Sequence, residues 1–434
     1  MSSAFGIETY FNRNPRSQYT EPYRHITRAG DNLEAVLIRE IKAAKKSVYV
    51  AVLEFRLPLV AAALIERKKA GVDVRVILEK DYNFDILHQH EDPNNEHEAT
   101  ESRELKAFID INQNGRIEVA ELETRDAVYM LAKAKVPVMD DSMSVDGTLG
   151  NALMHHKFVI IDGKTTVVST ANFTMSCVHG DTLAPQSRGN PNSMVVIDST
   201  PFASLFTEEF FTMWGNGRKG NFHLAKPFRG ARSVNVGGSK ITVQFSPTSK
   251  TLPFEQSTNG LIASYMSKAM RTFKAALFVF SEQKLVDILE KRHNAGVDVG
   301  VIIETKFAYR DYSELLDMLG LEMLGSNCKP EPGNHPWRNP IREGGMANLG
   351  GGDILHHKFG VVDGRYVLVG SHNWSDSANN MNDETFLVIE NTSISDSYTQ
   401  EYERVRAGAV LGVTSKAEMD IQTRKDACAR KGLL

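Results

Sequence analysis

Residues Ala152 to Thr174 read ALMHHKFVIIDGKTTVVSTANFT, and residues Ile354 to Ser375 repeat the pattern as ILHHKFGVVDGRYVLVGSHNWS, 201 positions later (356 − 155). In each copy a His-His-Lys cluster precedes an apolar run, an Asp-Gly turn and a second apolar run, which is typical of a β-hairpin. Residues i and i+2 of a strand share one face. The first histidine and the lysine of each cluster are therefore expected to point the same way, at the open end of a buried sheet.

The repeat extends well beyond the two hairpins. RKKAGVDVRVILEK, residues 67–80, matches RHNAGVDVGVIIET, residues 292–305. Apolar β-branched runs alternate with amphipathic segments in each half, which indicates α/β units with buried sheets. Counted from the glycine of the shared AGVDV to the histidine cluster, the first half spans 84 residues and the second 60, so the first half carries about 24 extra residues.

We therefore predict an α/β fold of two similar domains produced by internal duplication, each a mixed sheet flanked by helices. The first domain spans residues 5–217, with a helical EF-hand-like insertion at 98–130, and the second spans 237–434. Residues 218–236 are rich in glycine and basic side chains, which predicts a linker or an exposed crossing strand. Nucleic-acid contact through these basic residues is the less favoured alternative.

Composition sets limits on location and partners. The chain of 434 residues has 41% hydrophobic and 24% charged residues and a net charge of −4, so it has no global field that would gather nucleic acid or anionic lipid. Three cysteines, Cys177, Cys328 and Cys428, are an odd number and far apart, which argues against a disulfide framework. No apolar run approaches the ~20 residues of a membrane span, and the N-terminus lacks an apolar signal core. A cytoplasmic location is the simplest interpretation, with secretion or a periplasmic location left open if a signal peptide has been removed.

Each hairpin is predicted to bring three groups that suit a phosphate to one rim of its sheet. Lysine supplies charge, asparagine a directed N–H, and histidine a nucleophile or a proton. One copy alone fits a mere strand end equally well, but two copies with the same internal spacing argue for a site, since a phosphodiester displacement needs one nucleophile and one acid. The residues expected there are His155, Lys157 and Asn172 in the first copy and His356, Lys358 and Asn373 in the second.

These residues resemble the paired H-x-K-x4-D-x6-G-S-x-N motifs of the phospholipase D superfamily, and the resemblance covers nearly the whole chain. It implies a phosphodiesterase with a single active site at the interface of two phospholipase D-like domains, and no cofactor for the chemistry. One histidine attacks phosphorus to give a phosphohistidine, and the other protonates the leaving alcohol. Water or another alcohol then releases the phosphoryl group.

The first copy departs mildly from the family pattern, because Ser169-Thr170 stands where the second copy has Gly-Ser. Ser371 of the second copy is expected to support the site. Asp162 and Asp363 are interpreted mainly as turn residues that close the hairpins. The second histidine of each cluster faces the other way and is expected to be structural.

A downstream element bears on the roles of the two catalytic histidines. It reads Asn-Asp-Glu in the second copy, ending in Glu384, and the aligned position of the first copy is Asn192. A histidine held by a carboxylate keeps its proton and suits the acid role, whereas one held by an amide stays neutral and nucleophilic. We therefore predict His155 as nucleophile, oriented by Asn192, and His356 as acid, oriented by Glu384. An N-terminal nucleophile is also what the resemblance implies.

The extra residues of the first half include DINQNGRIEVAE, which fits the calcium loop of an EF-hand. Helical patterns precede and follow the loop, and its glycine permits the sharp turn. Functional EF-hands usually pair and this one is alone, so a degenerate loop is the alternative, but the complete ligand set favours Ca²⁺ in a peripheral, structural or regulatory role. The predicted ligands are Asp110, Asn112, Asn114, the carbonyl of Arg116, Glu118 and Glu121.

The motif serves phospholipases, phospholipid synthases and nucleases alike, so it leaves the substrate open. The mildly acidic chain argues against a non-specific nuclease, and the lack of membrane spans argues against a membrane-embedded synthase. Trp337, in the Gly- and Pro-rich loop from Cys328 to Asp353, fits either contact with lipid or base at a mobile rim or simple loop packing. We predict phospholipase D-type hydrolysis of phospholipid head groups, with transphosphatidylation and peripheral membrane contact left open. The alternatives are a metal-independent nuclease acting on DNA or RNA and, less favoured, a catalytically silent calcium- or phosphate-binding protein.

Overall fold

The computed structural model describes residues 2–89, 96–147 and 151–433, and its elements follow the two halves of the repeat. The strands of the first half are β1 Ser2–Ala4, β2 Ile7–Phe11, β3 Gln18–Thr20, β4 Thr27–Ala29, β5 Ser47–Val52, β6 Asp73–Leu78, β7 Val138–Asp140, β8 Lys157–Ile161, β9 Thr165–Ser169 and β10 Ser193–Asp198. Its helices are α1 Leu33–Ala43, α2 Pro58–Lys69, α3 Glu96–Ile109, α4 Val119–Arg125, α5 Ala127–Lys133, α6 Met175–Val178 and α7 Thr200–Trp214.

The second half continues with the same alternation. Its strands are β11 Arg232–Val236, β12 Ser239–Phe245, β13 Thr272–Leu277, β14 Phe280–Ser281, β15 Asp298–Ile303, β16 Glu343–Met346, β17 Lys358–Val362, β18 Tyr366–Gly370, β19 Trp374–Ser375, β20 Thr385–Glu390 and β21 Val410–Leu411. Its helices are α8 Thr258–Met266, α9 Gln283–Asn294, α10 Thr305–Ala308, α11 Glu314–Met318, α12 Asp376–Asn380, α13 Thr392–Gly408 and α14 Ser415–Arg430. Short 3₁₀ helices cover Lys80–Tyr82, Ile86–His88, Asp141–Met143, His223–Ala225 and Phe254–Gln256.

Each half builds a mixed sheet with equivalent strands in the same order. Among the described residues the first sheet runs β1-β2-β10-β9-β8-β5-β6-β7 and the second β11-β12-β20-β18-β17-β13-β15-β16-β21. The pairs β5–β6 and β13–β15 are parallel and are joined by the crossover helices α2 and α9, as parallel neighbours require. The histidine-bearing hairpins β8–β9 and β17–β18 pair antiparallel beside them. The predicted α/β fold of two similar mixed-sheet domains is confirmed.

Hydrophobic burial joins the two halves into one body. One face of each sheet packs against helices of its own half, with α1, α2 and α5 on the first and α8, α9 and α11 on the second. The other faces share a central core with α7 and α13, where Phe206 and Tyr398 are fully buried. Apolar runs buried on both faces explain why the strands read as continuous hydrophobic segments rather than alternating ones. The open strand ends of the two sheets are thereby brought together.

The basic segment 218–236 is built into the fold. Its C-terminal part forms β11, an edge strand of the second sheet, paired antiparallel with β12. Lys226 lies 2.7 Å from the carboxylate of Asp383, and Arg229 forms ion pairs with Glu208 and Glu209 of α7. These two cations are therefore neutralised within the protein, whereas Arg218 and Lys219 are exposed.

One sequence prediction about the cysteines was wrong, because Cys328 and Cys428 form a disulfide with Cα atoms 5.6 Å apart. They are 100 residues apart in sequence, but α14 returns to pack beside the loop that holds Cys328. Leu324 and both half-cystines form a small buried cluster there. Cys177 is free and buried. Separation along the chain was thus a poor guide to contact in space.

Trp337 belongs to the core of the second half. It is 3% exposed and stacks on His293 with ring centroids 5.6 Å apart. The interpretation of this side chain as a contact for lipid or base was therefore wrong, and simple packing is correct. Within the described ranges, no helix combines the length and apolar character needed to cross a membrane.

Candidate active site

The structure places both His-x-Lys clusters at the N-terminal ends of equivalent central strands. Lys157 begins β8 and Lys358 begins β17, and each ammonium donates a hydrogen bond of 2.9 Å to the carbonyl oxygen of the histidine two residues earlier. The lysines are 1% exposed and the histidines, His155 and His356, 7% exposed. Because the strands run into buried sheets, these ends are the points at which polar side chains reach the junction between the halves.

The histidines are held by side chains of the opposite half. Nδ1 of His155 lies 2.7 Å from Oε2 of Glu384, and Nδ1 of His356 lies 3.0 Å from Oδ1 of Asn192. The predicted pairing of Glu384 with His356 and of Asn192 with His155 was therefore wrong. Alignment within each copy could identify the two orienting residues, but the halves exchange them across the interface.

Backbone hydrogen bonds make the same exchange. The N–H of His155 donates to the carbonyl of Asp383 over 2.9 Å. The N–H of Leu153 donates to Oδ1 of Asn382, and that of Ile354 donates to Oδ1 of Asn190 over 2.8 Å. Each strand that carries a histidine is thus anchored to the loop that orients it, so neither half contains a complete site.

Hydroxyl groups support the two orienting side chains. Ser371 donates to Oε2 of Glu384 over 2.6 Å, and Thr170 donates to Oδ1 of Asn192 over 2.7 Å. Thr170 therefore takes the place of Ser371 in the first copy, where the sequence had shown only a substitution of small residues. The shared spacing of 201 positions is the signal that could have identified Thr170 (371 − 170).

Burial and the clustered cations set the protonation of the site. Burial lowers the pKa of His155 and of His356 well below the ordinary value, and the ammonium groups of Lys157 and Lys358 lower both further. Burial lowers the pKa of Lys157 to about 8. Burial and then the charge of Lys157 lower the pKa of Lys358 to about 7. Since an oxygen accepts at each Nδ1, each neutral ring carries its proton on Nδ1 and has Nε2 at its opposite edge.

The two motif asparagines carry an unmatched polar atom. Oδ1 of Asn172 and Oδ1 of Asn373 are buried and have no hydrogen-bond partner among the described residues. A buried acceptor without a partner costs free energy. A phosphate oxygen is also an acceptor, so the atoms that can bind it are the Nδ2–H groups of these two asparagines, which lie just after the return strands β9 and β18.

The motif aspartates lie at the far ends of the hairpins. Asp162 accepts from the backbone N–H groups of residues 45–47, and Asp363 accepts from those of residues 270–272. Both have φ near +54°, in the left-handed region that a tight turn requires. They stabilise the turn and the start of the neighbouring strand, about five residues of β-strand away from the histidines.

The remaining histidines of the two clusters face the shared core. His156 bonds Thr385 and approaches Glu209, and Nε2 of His357 donates to Glu401 over 2.7 Å. Glu209 and Glu401 lie at equivalent places on α7 and α13. The sequence did not identify these glutamates, although the similar helices FTEEFF and YTQEYE contain both.

The EF-hand-like segment forms a helix, a loop and a helix, with Gly115 at φ +76°. The side-chain oxygens of Asp110 and Asn114 accept N–H groups of the loop itself, and the carboxylate of Glu121 accepts those of residues 111, 112 and 118. Across the described part of the chain, no group of three or more His, Cys, Asp or Glu side chains is arranged to hold a metal ion. The oxygen ligands suit calcium in kind, and those of Asp110, Asn114 and Glu121 accept backbone N–H groups of the loop.

Comparison with known proteins places this geometry in a family. A family model described as "Cardiolipin synthase, PLD-like domain" matches residues 37–214 and 262–406, which is most of the chain. Two curated relatives are mitochondrial cardiolipin hydrolases of Xenopus tropicalis and Xenopus laevis, each 28% identical, over 36% and 42% of this chain and 63% and 77% of their own lengths. A phospholipase D of Rickettsia bellii is 23% identical over 38% of this chain and 68% of its own.

A solved structure shows the same fold over the whole chain. Phosphatidylserine synthase of Haemophilus influenzae aligns with a TM-score of 0.58 at 13% identity and covers 99% of this chain and 95% of its own. At that identity the likeness concerns the fold alone. It agrees with the two mixed sheets and the paired hairpins described above.

Proposed function

Because the chain belongs to the family of phospholipase D-like phosphodiesterases described as cardiolipin synthase, PLD-like domain, we propose that it hydrolyses phospholipids at the head-group phosphodiester through a phosphohistidine. The observation that carries the proposal is the crossed arrangement at the interface. Two neutral histidines, each held at Nδ1 by the opposite half, meet two buried lysines in one place. Such a site has a nucleophile, an acid and a binding site for a phosphate.

In the first step His155 is the nucleophile. Its Nε2 forms a bond to phosphorus while the bond from phosphorus to the head-group oxygen breaks, and the proton for that oxygen comes from His356. Attack makes the imidazole of His155 cationic, and the carboxylate of Glu384 at Nδ1 stabilises this charge. The carboxylate of Glu384 thus supports the nucleophile and not, as expected from the sequence, the acid.

The acid needs a proton that the free site does not hold. A bound phosphodiester brings a negative charge beside His356, which raises the pKa of this imidazole and lets it carry the proton. Asn192 orients the ring through Nδ1 without adding a charge that would retain the proton after transfer. The different partners of the two histidines therefore suit different roles.

The second step reverses these roles. Water gives a proton to His356 and attacks phosphorus, and the bond from phosphorus to His155 breaks, which leaves phosphatidic acid. A second alcohol in place of water would give transphosphatidylation. The ammonium groups of Lys157 and Lys358 and the amides of Asn172 and Asn373 bind the phosphoryl oxygens throughout.

The test uses purified protein with phosphatidylcholine vesicles and, separately, single-stranded DNA. We expect phosphatidic acid from the vesicles, with EDTA leaving the reaction running. His155→Ala should abolish turnover and any acid-labile phosphoenzyme. His356→Ala should still form the phosphoenzyme with a substrate whose leaving group needs no proton. Cleavage of DNA alone would replace the lipid with a nucleic-acid substrate, and a label trapped on His356 would reverse the two roles.

Calcium at the inserted loop is a separate proposal. The helix–loop–helix form, the glycine turn at Gly115 and six oxygen ligands in EF-hand spacing support it. Binding would require Glu121 to give up its backbone N–H partners, so we expect modest affinity and an effect on stability rather than on the chemistry.

The location is also a proposal. A cytoplasmic protein was the simplest expectation from the sequence, but the disulfide between Cys328 and Cys428 favours an oxidising compartment, because cytoplasmic thiols are kept reduced. Peripheral contact with a membrane follows from a lipid substrate. Fractionation of cells that produce the native chain would test both points, and a wholly cytoplasmic pool with free thiols at both positions would contradict the first.

A further inference from the structure

A cavity of about 240 Å³ opens beside the active site and is lined by residues of both halves. Asn190 and Ile354 line it and bind each other, since Oδ1 of Asn190 accepts the N–H of Ile354. Ile354 lies two residues before His356 in the chain. The cavity therefore adjoins the segments that hold His356.

Neither catalytic imidazole lines the cavity itself among the described residues, and the cavity's link to His356 runs through Asn190 and Ile354. In a displacement at phosphorus the leaving group departs opposite the nucleophile and toward the acid. A cavity on the side of His356 is thus placed for the group that leaves.

The wall of the cavity comes from the inserted helix α3. Ser102 on α3 donates to the side chain of Gln89, and Glu104 accepts the N–H groups of Thr182 and Leu183, so the helix is tied to both neighbouring loops. The equivalent connection of the second half holds only the short helices α10 and α11. The cavity is therefore on one side of the duplicated structure. One face of α3 lines it with Thr100, Glu101, Glu104, Leu105 and Phe108.

The charge of the lining disfavours an anionic group in the cavity in addition to the phosphate at the histidines. Four carboxyl groups stand against two cations, a formal charge of −2 (2 − 4). Arg56 is already engaged, because it donates to the carbonyl of Phe84 over 2.7 Å and lies over that ring at 4.3 Å. The surplus of carboxyl groups attracts a cation. The charged residues are Glu54, Glu101, Glu104, Asp181, Arg56 and Lys306, and the aromatic ones are Tyr82, Phe84 and Phe108.

The volume limits the size of the occupant. At ~30 Å³ for each water molecule the cavity holds about eight, and it is smaller than the roughly 300–1,000 Å³ of pockets for drug-sized ligands. A head-group alcohol of a few carbon atoms fits this space.

We propose that this cavity is the subsite for the leaving alcohol and that it selects a small amino alcohol, so that ethanolamine-type head groups are cleaved in preference to glycerol or to a second phosphatidyl group. This inference rests on the proposed function. Glu101 lies in the cavity lining and acts as a specificity residue for the head group. Because α3 belongs to the insertion, the insertion determines on which side of the site the leaving alcohol is bound and which head group is preferred.

The experiment compares three lipids in the same detergent micelles, all of which give phosphatidic acid: phosphatidylethanolamine, phosphatidylglycerol and phosphatidylmethanol. The methanol ester leaves the cavity empty and reports the chemistry alone. Leu105→Trp and Thr100→Trp fill the cavity from its wall and from its exposed rim. Lys106→Trp, on the opposite and exposed face of α3, is the matched control. Melting temperatures identify any variant that fails to fold.

The wild type should prefer phosphatidylethanolamine to phosphatidylglycerol by ~10-fold in kcat/KM, a factor typical of one well-placed group in a pocket. Each cavity-filling variant should lose ~10-fold or more with phosphatidylethanolamine and keep phosphatidylmethanol within about twofold. Glu101→Gln should reduce the preference for ethanolamine mainly through KM. Lys106→Trp should change neither substrate.

Equal losses on all three lipids in folded Leu105→Trp and Thr100→Trp would overturn the subsite while leaving the proposed function intact. A preference for phosphatidylglycerol, or one unchanged in Glu101→Gln, would overturn the choice of an amino alcohol. If the wild type cleaves none of the three esters, the proposed function fails and the subsite fails with it.

Discussion

Replacing Glu384 by glutamine tests the role of the carboxylate across the interface. Glu384 is fully buried and accepts two hydrogen bonds at the same oxygen, from Ser371 over 2.6 Å and from Nδ1 of His155 over 2.7 Å. Glutamine has nearly the same shape and keeps an oxygen that can accept both bonds. The substitution therefore removes the negative charge with little change in packing.

The size of the effect follows from the distance. At an effective dielectric constant of about 20, unit charges about 4 Å apart interact by about 4 kcal/mol. This is the separation expected between a carboxylate at 2.7 Å from Nδ1 and a positive charge shared by both ring nitrogens. A transition state that loses about 4 kcal/mol forms ~10³-fold more slowly. We therefore expect Glu384→Gln to lower kcat by ~10³-fold.

The assay uses two esters of phosphatidic acid, one with p-nitrophenol and one with ethanolamine. The first leaving group needs no proton, so it reports attack by the nucleophile alone. Glu384→Gln should lose a similar factor with both esters. Asn192→Ala is the matched variant on the other histidine, and it should lose much more with the ethanolamine ester than with the aryl ester. Melting temperatures show whether each variant is folded.

Two results would refute the reasoning. A loss below ~10-fold for folded Glu384→Gln would mean that the carboxylate does not stabilise charge on His155. A loss confined to the ethanolamine ester would mean that Glu384 serves the acid, and His155 would then be the acid. In either case the contacts between each histidine and the opposite half would stand, but the assignment of His155 as nucleophile and His356 as acid would be wrong.

Three further predictions follow from the buried lysine, the disulfide and the inserted loop. Burial lowers the pKa of Lys358 to about 7, so the ammonium is charged below that pH and KM for the phosphodiester should rise as the pH is raised through about 7. Lys358→Ala should raise KM at pH 6 and flatten this pH dependence. A pH profile of KM that is the same in both proteins contradicts the prediction. Cys328→Ser opens a loop of 100 residues and should lower the free energy of unfolding by about 5 kcal/mol in denaturant titrations. Stability equal to the wild type would mean that the bond is absent. Calcium titration by calorimetry should show one site that Glu121→Gln abolishes, with activity retained in EDTA, and no heat from the wild type removes the EF-hand interpretation.

The repeated motif made the fold predictable to an unusual degree. Hairpins, crossover helices and mixed sheets all followed from apolar periodicity and from the match between halves, because these depend on local pattern and on burial. The turn positions of Asp162 and Asp363 also follow from local sequence. In a duplicated chain, the fold predicted for one half also predicts the fold of the other.

Contacts between the halves were not predictable in the same way. Glu384 and Asn192 could be found by alignment, but which histidine each one contacts depends on how two sheets dock, and sequence spacing contains no such information. The pairing of Cys328 with Cys428 was missed for the same reason. It depends on where α14 packs in the folded chain, and the local sequence gives no sign of that position. Trp337 was left undecided between a contact role and loop packing, because the Gly- and Pro-rich loop around it gave no sign of its buried position.

The exchange of orienting side chains has a consequence for how such a chain arises. Each half brings a histidine that the other half orients, which is the arrangement of two identical subunits around a twofold axis. While such subunits remain separate, every change appears in both sites at once. Fusion into one chain removes that constraint, so one orienting position can keep a carboxylate while the other becomes Asn192, and one half can acquire α3 while the other does not. Division of labour between the histidines is thus a benefit of covalent linkage, and neither half expressed alone should turn over substrate, whereas the two halves produced together should regain activity if they associate.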